Sequence, residues 1–475
     1  MKKSKDYRIF NRYRNRDRFR EDSFFLCINI QTFCINFLDF SYKKNTFRGI
    51  MIVSKYIMKE GVLNEKLTLF KLLSYMKSVY HIPQKIRTLT DKRKRRSIPL
   101  FNIVMPTLIF LMLQYRSFHT VFSSPESMNR RLRNCIRGKM PKVDAVRDLL
   151  SQIDPDELRN IHEETIDRMK RNRIWKHGTI GGCRVAAVDG VELFGSTKKS
   201  CPDCLARRHG KQGTEYFHRS VVCMSVGGPP HVILGQEMLK PRDGNEKDEG
   251  ELTGGKRLIQ RLRKRHGHFA DLIVADALYL NAPFINTVLS CGMETVIRLK
   301  DEKRLIFKDA QGLFEKGAGK KEAFKRGRTE IETWDLAGFE MDGVAKKVRV
   351  IRYHEKTTKK NGRTEENWMW LVTTDETADN QTLWKIMHKR WDIEENGFHQ
   401  LKTYYHLKHC YCHKAVETVF YLIIIAFNMK ELYLYRRTKD FKGRKITLIS
   451  VSRMFQDELH MKNMKNVLYE SEKGG

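Results

Sequence analysis

Two aspartates close short apolar runs, and a glutamate follows an arginine by four residues. Arg184-Val-Ala-Ala-Val-Asp189 and Asp271-Leu-Ile-Val-Ala-Asp276 each read as a buried strand that ends on a carboxylate. A charge in that position is costly unless it is paired or bound to metal. Two such strands side by side bring both carboxylates to one crevice, where open α/β sheets keep their sites. Neighbouring carboxylates repel and raise each other's pKa unless a divalent cation lies between them. Hard oxygen donors of this kind suit Mg²⁺ or Mn²⁺. Taken singly, each aspartate reads equally well as a cap on the turn after its strand. The third acid lies in His388-Lys-Arg-Trp-Asp-Ile-Glu-Glu-Asn-Gly-Phe-His-Gln-Leu-Lys402, a helical stretch in which Arg390 and Glu394 share a face. Trp391, Phe398 and Leu401 are expected on its packed side.

A second set of donors begins with Cys201-Pro-Asp-Cys204, a knuckle-like spacing. Thiolate and imidazole ligands suit structural zinc. His218 is the expected third ligand and Cys223 the fourth, with His209 and Cys183 as alternatives. An exposed turn with incidental thiols is the competing reading. Cys410-Tyr-Cys-His413 reads as core packing or a DNA-proximal loop and is left outside the site.

The charge balance names the partner class. Lys plus Arg number 90 against 56 Asp plus Glu, a net +34 over 475 residues. A polyanion explains such an excess, because each cation placed on a phosphate releases a condensed counterion. Ten scattered cysteines do not make a disulfide scaffold, so a reducing cytoplasm fits, beside the nucleoid if the polyanion is DNA. No secretory signal follows the basic start. The apolar run from Ile98 to Leu113 is interrupted by Pro99, Asn102 and Pro106 and reads as a buried helix. Val419 to Met429 reads as part of an amphipathic helix. No membrane anchor is expected.

The elements that must position the acids fall in order along the chain. Residues 1–60 form a basic extension, with Met51 and Met58 as possible later starts. Residues 61–178 read as a helical DNA-binding domain, with helix starts at Ser123-Ser-Pro-Glu126 and Asp154-Pro-Asp-Glu157. Residues 179–300 alternate strand and helix, an α/β layered domain. Residues 301–378 read as an all-β insertion with a hairpin turn at Lys359-Lys-Asn-Gly362. Residues 379–436 return to the helical period, and 437–475 form a basic tail.

Arg390-Trp-Asp-Ile-Glu394, with Phe398 and Leu401-Lys402, resembles the signature of bacterial insertion-sequence transposases of the DDE class, of the IS-four type. Val185-Ala-Ala-Val-Asp-Gly190 and Ile273-Val-Ala-Asp276 resemble the two aspartate strands of that family. The resemblance spans about residues 179–435. It implies an RNase H-like mixed sheet flanked by helices, interrupted by the β insertion and preceded by the helical domain. It also implies two divalent ions on Asp189, Asp276 and Glu394, phosphate contacts from Arg390 and Lys402, and cut-and-paste transposition of DNA. The partners so implied are transposon inverted-repeat ends and target DNA, engaged by a homodimer. Base stacking on Trp334, Trp368 or Trp370 belongs to the same implication. Two departures are visible. Met387 stands where the signature has Tyr, and seven residues rather than six separate Glu394 from Lys402. One extra residue turns a helix by about 100°. A π-bulge near Asn396-Gly397 would absorb it and keep Glu394, rather than Glu395, in register with both Arg390 and Lys402. A metal-dependent nuclease of the same fold, a decayed transposase that only binds DNA, and an RNA-binding protein are the competing functions.

Overall fold

The computed structural model of the chain describes residues 68–94, 96–122, 126–210, 213–242, 247–437 and 447–461. The expected extension over 1–60 and the start at Ser123-Ser-Pro125 lie outside these residues. Seven described helices come first: α1 (Leu69–Tyr80), α2 (Ile82–Arg87), α3 (Phe101–Met112), α4 (Phe118–Phe122), α5 (Glu126–Ile136), α6 (Val143–Leu150) and α7 (Pro155–Arg171). Asp154 caps α7 by accepting from the Asp156 N–H at 3.0 Å, with Pro155 in the first turn, where no N–H is needed. All twelve residues of α3 are buried, as expected of a helix that is apolar all round.

The strands follow: β1 (Val185–Ser196), β2 (Leu205–Arg208), β3 (Thr214–Ser225) and β4 (Ile233–Met238), then α8 (Glu251–His266), β5 (Leu272–Ala275), α9 (Ala282–Ser290) and β6 (Glu294–Leu299). β3 lies antiparallel between β1 on one side and β2 and β4 on the other. β5 joins β1 in parallel, and β6 joins β5 in parallel. An antiparallel meander continued by parallel strands, with helices on its faces, is the expected RNase H-like mixed sheet.

The insertion differs from its all-β reading. It opens with a helix, α10 (Leu305–Glu315), before β7 (Lys320–Arg326), β8 (Thr329–Phe339), β9 (Val348–Thr358) and β10 (Thr364–Thr373). Ile306, Phe307, Ala310 and Phe314 are buried at helical spacing, and the last two aromatics of that set lie against Trp370. Its strands also do not form a sheet of their own. β10 pairs with β6 from Trp370↔Leu299 to Thr373↔Val296, so ten described strands make one sheet in the order β2-β3-β1-β5-β6-β10-β9-β8-β7, with β4 beside β3.

After β10 come α11 (Asn380–Lys389), a π-helical segment (Ile393–Phe398), α12 (His399–Thr403), α13 (Val416–Arg437) and α14 (Leu448–Met461). α13 is not amphipathic. Every residue from Thr418 to Lys430 is buried, because α3 and α7 pack on it from one side and β4 from the other. Asn428 of α13 holds both backbone groups of Ile233, accepting from its N–H at 3.0 Å and donating to its C=O at 2.8 Å. The leading helices therefore share a core with the sheet, and the described residues cluster as one compact unit. The expected basic tail includes α14, whose Glu458 accepts from the Leu69 N–H at 2.5 Å. Among the described residues no helix is long and apolar enough to cross a membrane.

Candidate active site

Asp189 does not end its strand. β1 runs on to Ser196, and the element that stops beside Asp189 is the parallel partner β5. The ladder closes at Val188↔Ala275, so Asp189 and Asp276 are the next residues on two adjacent parallel strands. Asp276 also fulfils the competing reading. Its Oδ1 accepts from the Ala277 N–H at 2.7 Å and caps the turn Ala277–Tyr279, while Lys300 Nζ lies 3.0 Å away.

The third acid reaches the pair through Arg390. That guanidinium is buried, with Nη2 donating to Glu394 Oε1 at 3.0 Å and Nη1 3.7 Å from Asp189 Oδ2. The helix is π over Ile393–Phe398, with the His399 N–H bonded to the Glu394 C=O. The extra residue between Glu394 and Lys402 is thus absorbed where the spacing called for it. Two contacts hold the wide turn. Asp392 accepts from the Gly227 N–H at 2.9 Å, and a Cβ on Gly397 would stand 2.7 Å from Met224 Sδ, so glycine lets the turn sit close against β3 without displacing the Met224 side chain. Glu395 points away, accepting from the Trp391 indole at 3.3 Å. Trp391 is 51% exposed and does not join the packed side, which Phe398 and Leu401 form alone of the expected three.

Residues 231–429 match the family described as the transposase DDE domain. That stretch is similar to a DDE-class transposase. No curated protein matches the chain. The matched stretch contains Asp276 and Glu394 but begins after Asp189, whose place beside them rests on the strand register.

The electrostatics around these acids are uneven. Burial pushes Asp189 up to about 6; the Gly190 N–H and Arg390 pull it down, and Glu251 and Glu394 push with burial. Asp276 goes the other way: burial opposes its ionisation, but Lys300 and the Ala277 N–H outweigh burial and hold it below the usual range. Burial lowers Lys402, and Lys408 lowers it further. Sequence reasoning missed Lys300 and Glu251. Lys300 follows β6 and reaches back to Asp276 across a parallel pair that no local pattern announces. Glu251 opens α8 and pairs with Arg219. Its carboxylate lies where a Cβ on Gly190 would be, at 2.3 Å, so Gly190 admits a fourth acid beside Asp189.

The cysteine and histidine donors gather elsewhere on the sheet. Cys201 Sγ, Cys204 Sγ and His218 Nε2 converge, with both sulfurs 3.3 Å from the ring nitrogen. The fourth member is His413, whose Nε2 is 3.3 Å from Cys204 Sγ, and not Cys223. The physical reason is strand alternation. His218 and Cys223 are five apart on β3 and so point to opposite faces. His209 is bonded to Glu215 at 2.8 Å, and Cys183 sits in the bridge with Ile180, so neither alternative joins the set.

Proposed function

We propose that the chain binds transposon ends and catalyses metal-dependent cleavage and joining of DNA strands, with Asp189, Asp276 and Glu394 holding two Mg²⁺ or Mn²⁺ ions. The observation that carries this reading is that Asp189 and Asp276 directly follow the last paired residues of the parallel β1–β5 ladder, while Arg390 pairs with both Asp189 and Glu394. The donor set fits hard divalent cations. All three are carboxylates, and buried Asp189 has a further carboxylate, Glu251, near it. What such ions supply when bound is Lewis-acid stabilisation of the oxygens that enter and leave at phosphorus.

The chain's own residues supply the rest. Arg390 pairs with both Asp189 and Glu394 and draws the Asp189 carboxyl back toward ionisation. Lys300 does the same for Asp276 from the next strand. Lys402 lies one helical turn beyond the π segment and is exposed, so it offers a point charge to a phosphate, whereas Arg390 is buried and would meet one only at the floor of the site. Trp368, 48% exposed and stacked on His354, is the aromatic face a base could meet. The net charge of +34 supports a DNA partner; transposon end and target, engaged by a homodimer at the nucleoid, belong to the same proposal. The IS-four assignment rests on the Arg390, Glu394 and Lys402 spacing once the π segment is counted.

The test is Glu394→Gln on a paired-end substrate. Cleavage and strand transfer are abolished while end binding persists in a gel-shift assay. Near-normal cleavage would sink the assignment. Native protein that cuts but never joins paired ends would place it with the nucleases.

A further inference from the structure

We propose that Cys201, Cys204, His218 and His413 bind one structural zinc ion, which clamps the β1–β2–β3 edge of the sheet to the turn that starts α13. The inference does not depend on the carboxylate reading, since no residue is shared.

The geometry is that of a closed tetrahedral site. The four ligand atoms all lie within 4.8 Å of one another. Cys201 Sγ and Cys204 Sγ are 3.5 Å apart, and three of the four sulfur–nitrogen separations are 3.3 Å. Zinc–sulfur bonds of about 2.3 Å and zinc–nitrogen bonds of about 2.0–2.1 Å give tetrahedral edges of roughly 3.4–3.8 Å. The sulfurs are too far apart for a disulfide, which needs about 2.05 Å. Four protein donors leave no open position, which marks a structural rather than a catalytic centre.

The surroundings are those of a metal knuckle. The Cys204 N–H donates to the Cys201 C=O at 3.1 Å and closes the turn, and the Cys201 N–H points at Cys204 Sγ at 3.3 Å. Such N–H contacts stabilise thiolate over thiol. His218 is buried on β3, and Phe194 of β1 packs against both imidazoles, at 5.5 Å from His218 and 5.3 Å from His413. Binding would release the two thiol protons and leave two thiolates and two neutral imidazoles on the ion.

The clamp joins parts 209 residues apart in sequence. The chain between Lys402 and His413 carries Lys408, whose ammonium is 3.2 Å from Glu192 on β1. A metal at His413 would anchor the far end of this crossing and so fix the segment that leaves the carboxylate site.

The experiment is metal analysis of the full chain after gel filtration in buffer with a weak chelator. One zinc per chain is the expected result. Zinc well below one per folded chain overturns the proposal. His413→Ala and Cys204→Ser lose the zinc, and Cys223→Ser and Cys412→Ser keep it. Loss in Cys223→Ser with retention in His413→Ala also overturns it. Should the cluster variants fail to fold, the native chain still decides. Exchange of its metal for Co²⁺ gives the visible absorption of a tetrahedral site with thiolate charge transfer, and an octahedral spectrum without that band refutes the site.

Discussion

Metal-type donors gather at two places on one sheet, and the two are built on opposite plans. The carboxylates lie at mid-sheet, where β5 stops beside β1, with the side chains of Asp276 and Glu394 about a third exposed, at 34% and 32%. Burial pushes Asp189 up to about 6, and the neighbouring Glu251 and Glu394 carboxylates add to it. The cysteines and histidines lie at the sheet's edge and are closed on one another, with Phe194 across them. A site that must admit a substrate keeps vacant space and unspent charge. A site that only holds the chain together fills its coordination from the chain itself.

Four outcomes break or sharpen that contrast. The largest concerns Asp189→Asn. Cleavage falls by roughly a thousandfold or more, the scale seen when one preorganised charge is removed from a reaction centre. Without added divalent metal the same variant becomes more stable near pH 8. Burial raises the folded carboxyl from 3.8 to about 6. The stability it contributes is therefore full below pH 3.8 and is lost as pH rises through 6. Above that, the ionised carboxylate costs at most about 3 kcal/mol, which asparagine relieves. Thermal denaturation at pH 3.5 and 8 checks this; a destabilised variant at pH 8 contradicts an unspent charge.

Next, a chelator strong enough to strip zinc lowers the midpoint of thermal unfolding, whereas withdrawing Mg²⁺ changes it far less. Equal shifts would mean that the two sites are not different in kind. Smaller again is Gly397→Ala. Its Cβ would crowd Met224 Sδ at 2.7 Å, at a cost of about 1–3 kcal/mol by overpacking, and it displaces Glu394 so that cleavage falls with stability. Stability that drops with cleavage intact would free the π segment from a role in placing the acid. Smallest is Glu395→Gln, a surface change expected to stay within about 0.5 kcal/mol in stability and leave cleavage near native. A large loss there would move the ligand from Glu394 to its neighbour.

Much of the carboxylate site was legible because its signals are local. An apolar run ending in Asp marks a strand wherever it lies, and the one-residue excess before Lys402 can be counted. The helix answered it with a π turn at Ile393–Phe398. The reading of β1 as ending at Asp189 failed for a reason equally physical. The strand continues to Ser196 along β3 after its other neighbour has stopped, and pairing on one side leaves no mark on the apolar run. α13 was misread because its Asn, Lys and Tyr side chains suggest a wet face, whereas Asn428 and Lys430 are buried with partners from β4 and α14.

By itself the sequence proposed the acids and determined the helical period that sets Arg390 beside Glu394 and the Cys201–Cys204 spacing, since each depends on neighbours within a few residues; the excess of positive charge is read by counting. Tertiary structure alone decided that Lys300 faces Asp276, that Glu251 fills the space beside Gly190, that the insertion extends the same sheet, and that His413 rather than Cys223 closes the sulfur cluster. Those choices are made by strand register and by which face of β3 a side chain takes. Register is a property of pairs of segments, and no single segment carries it.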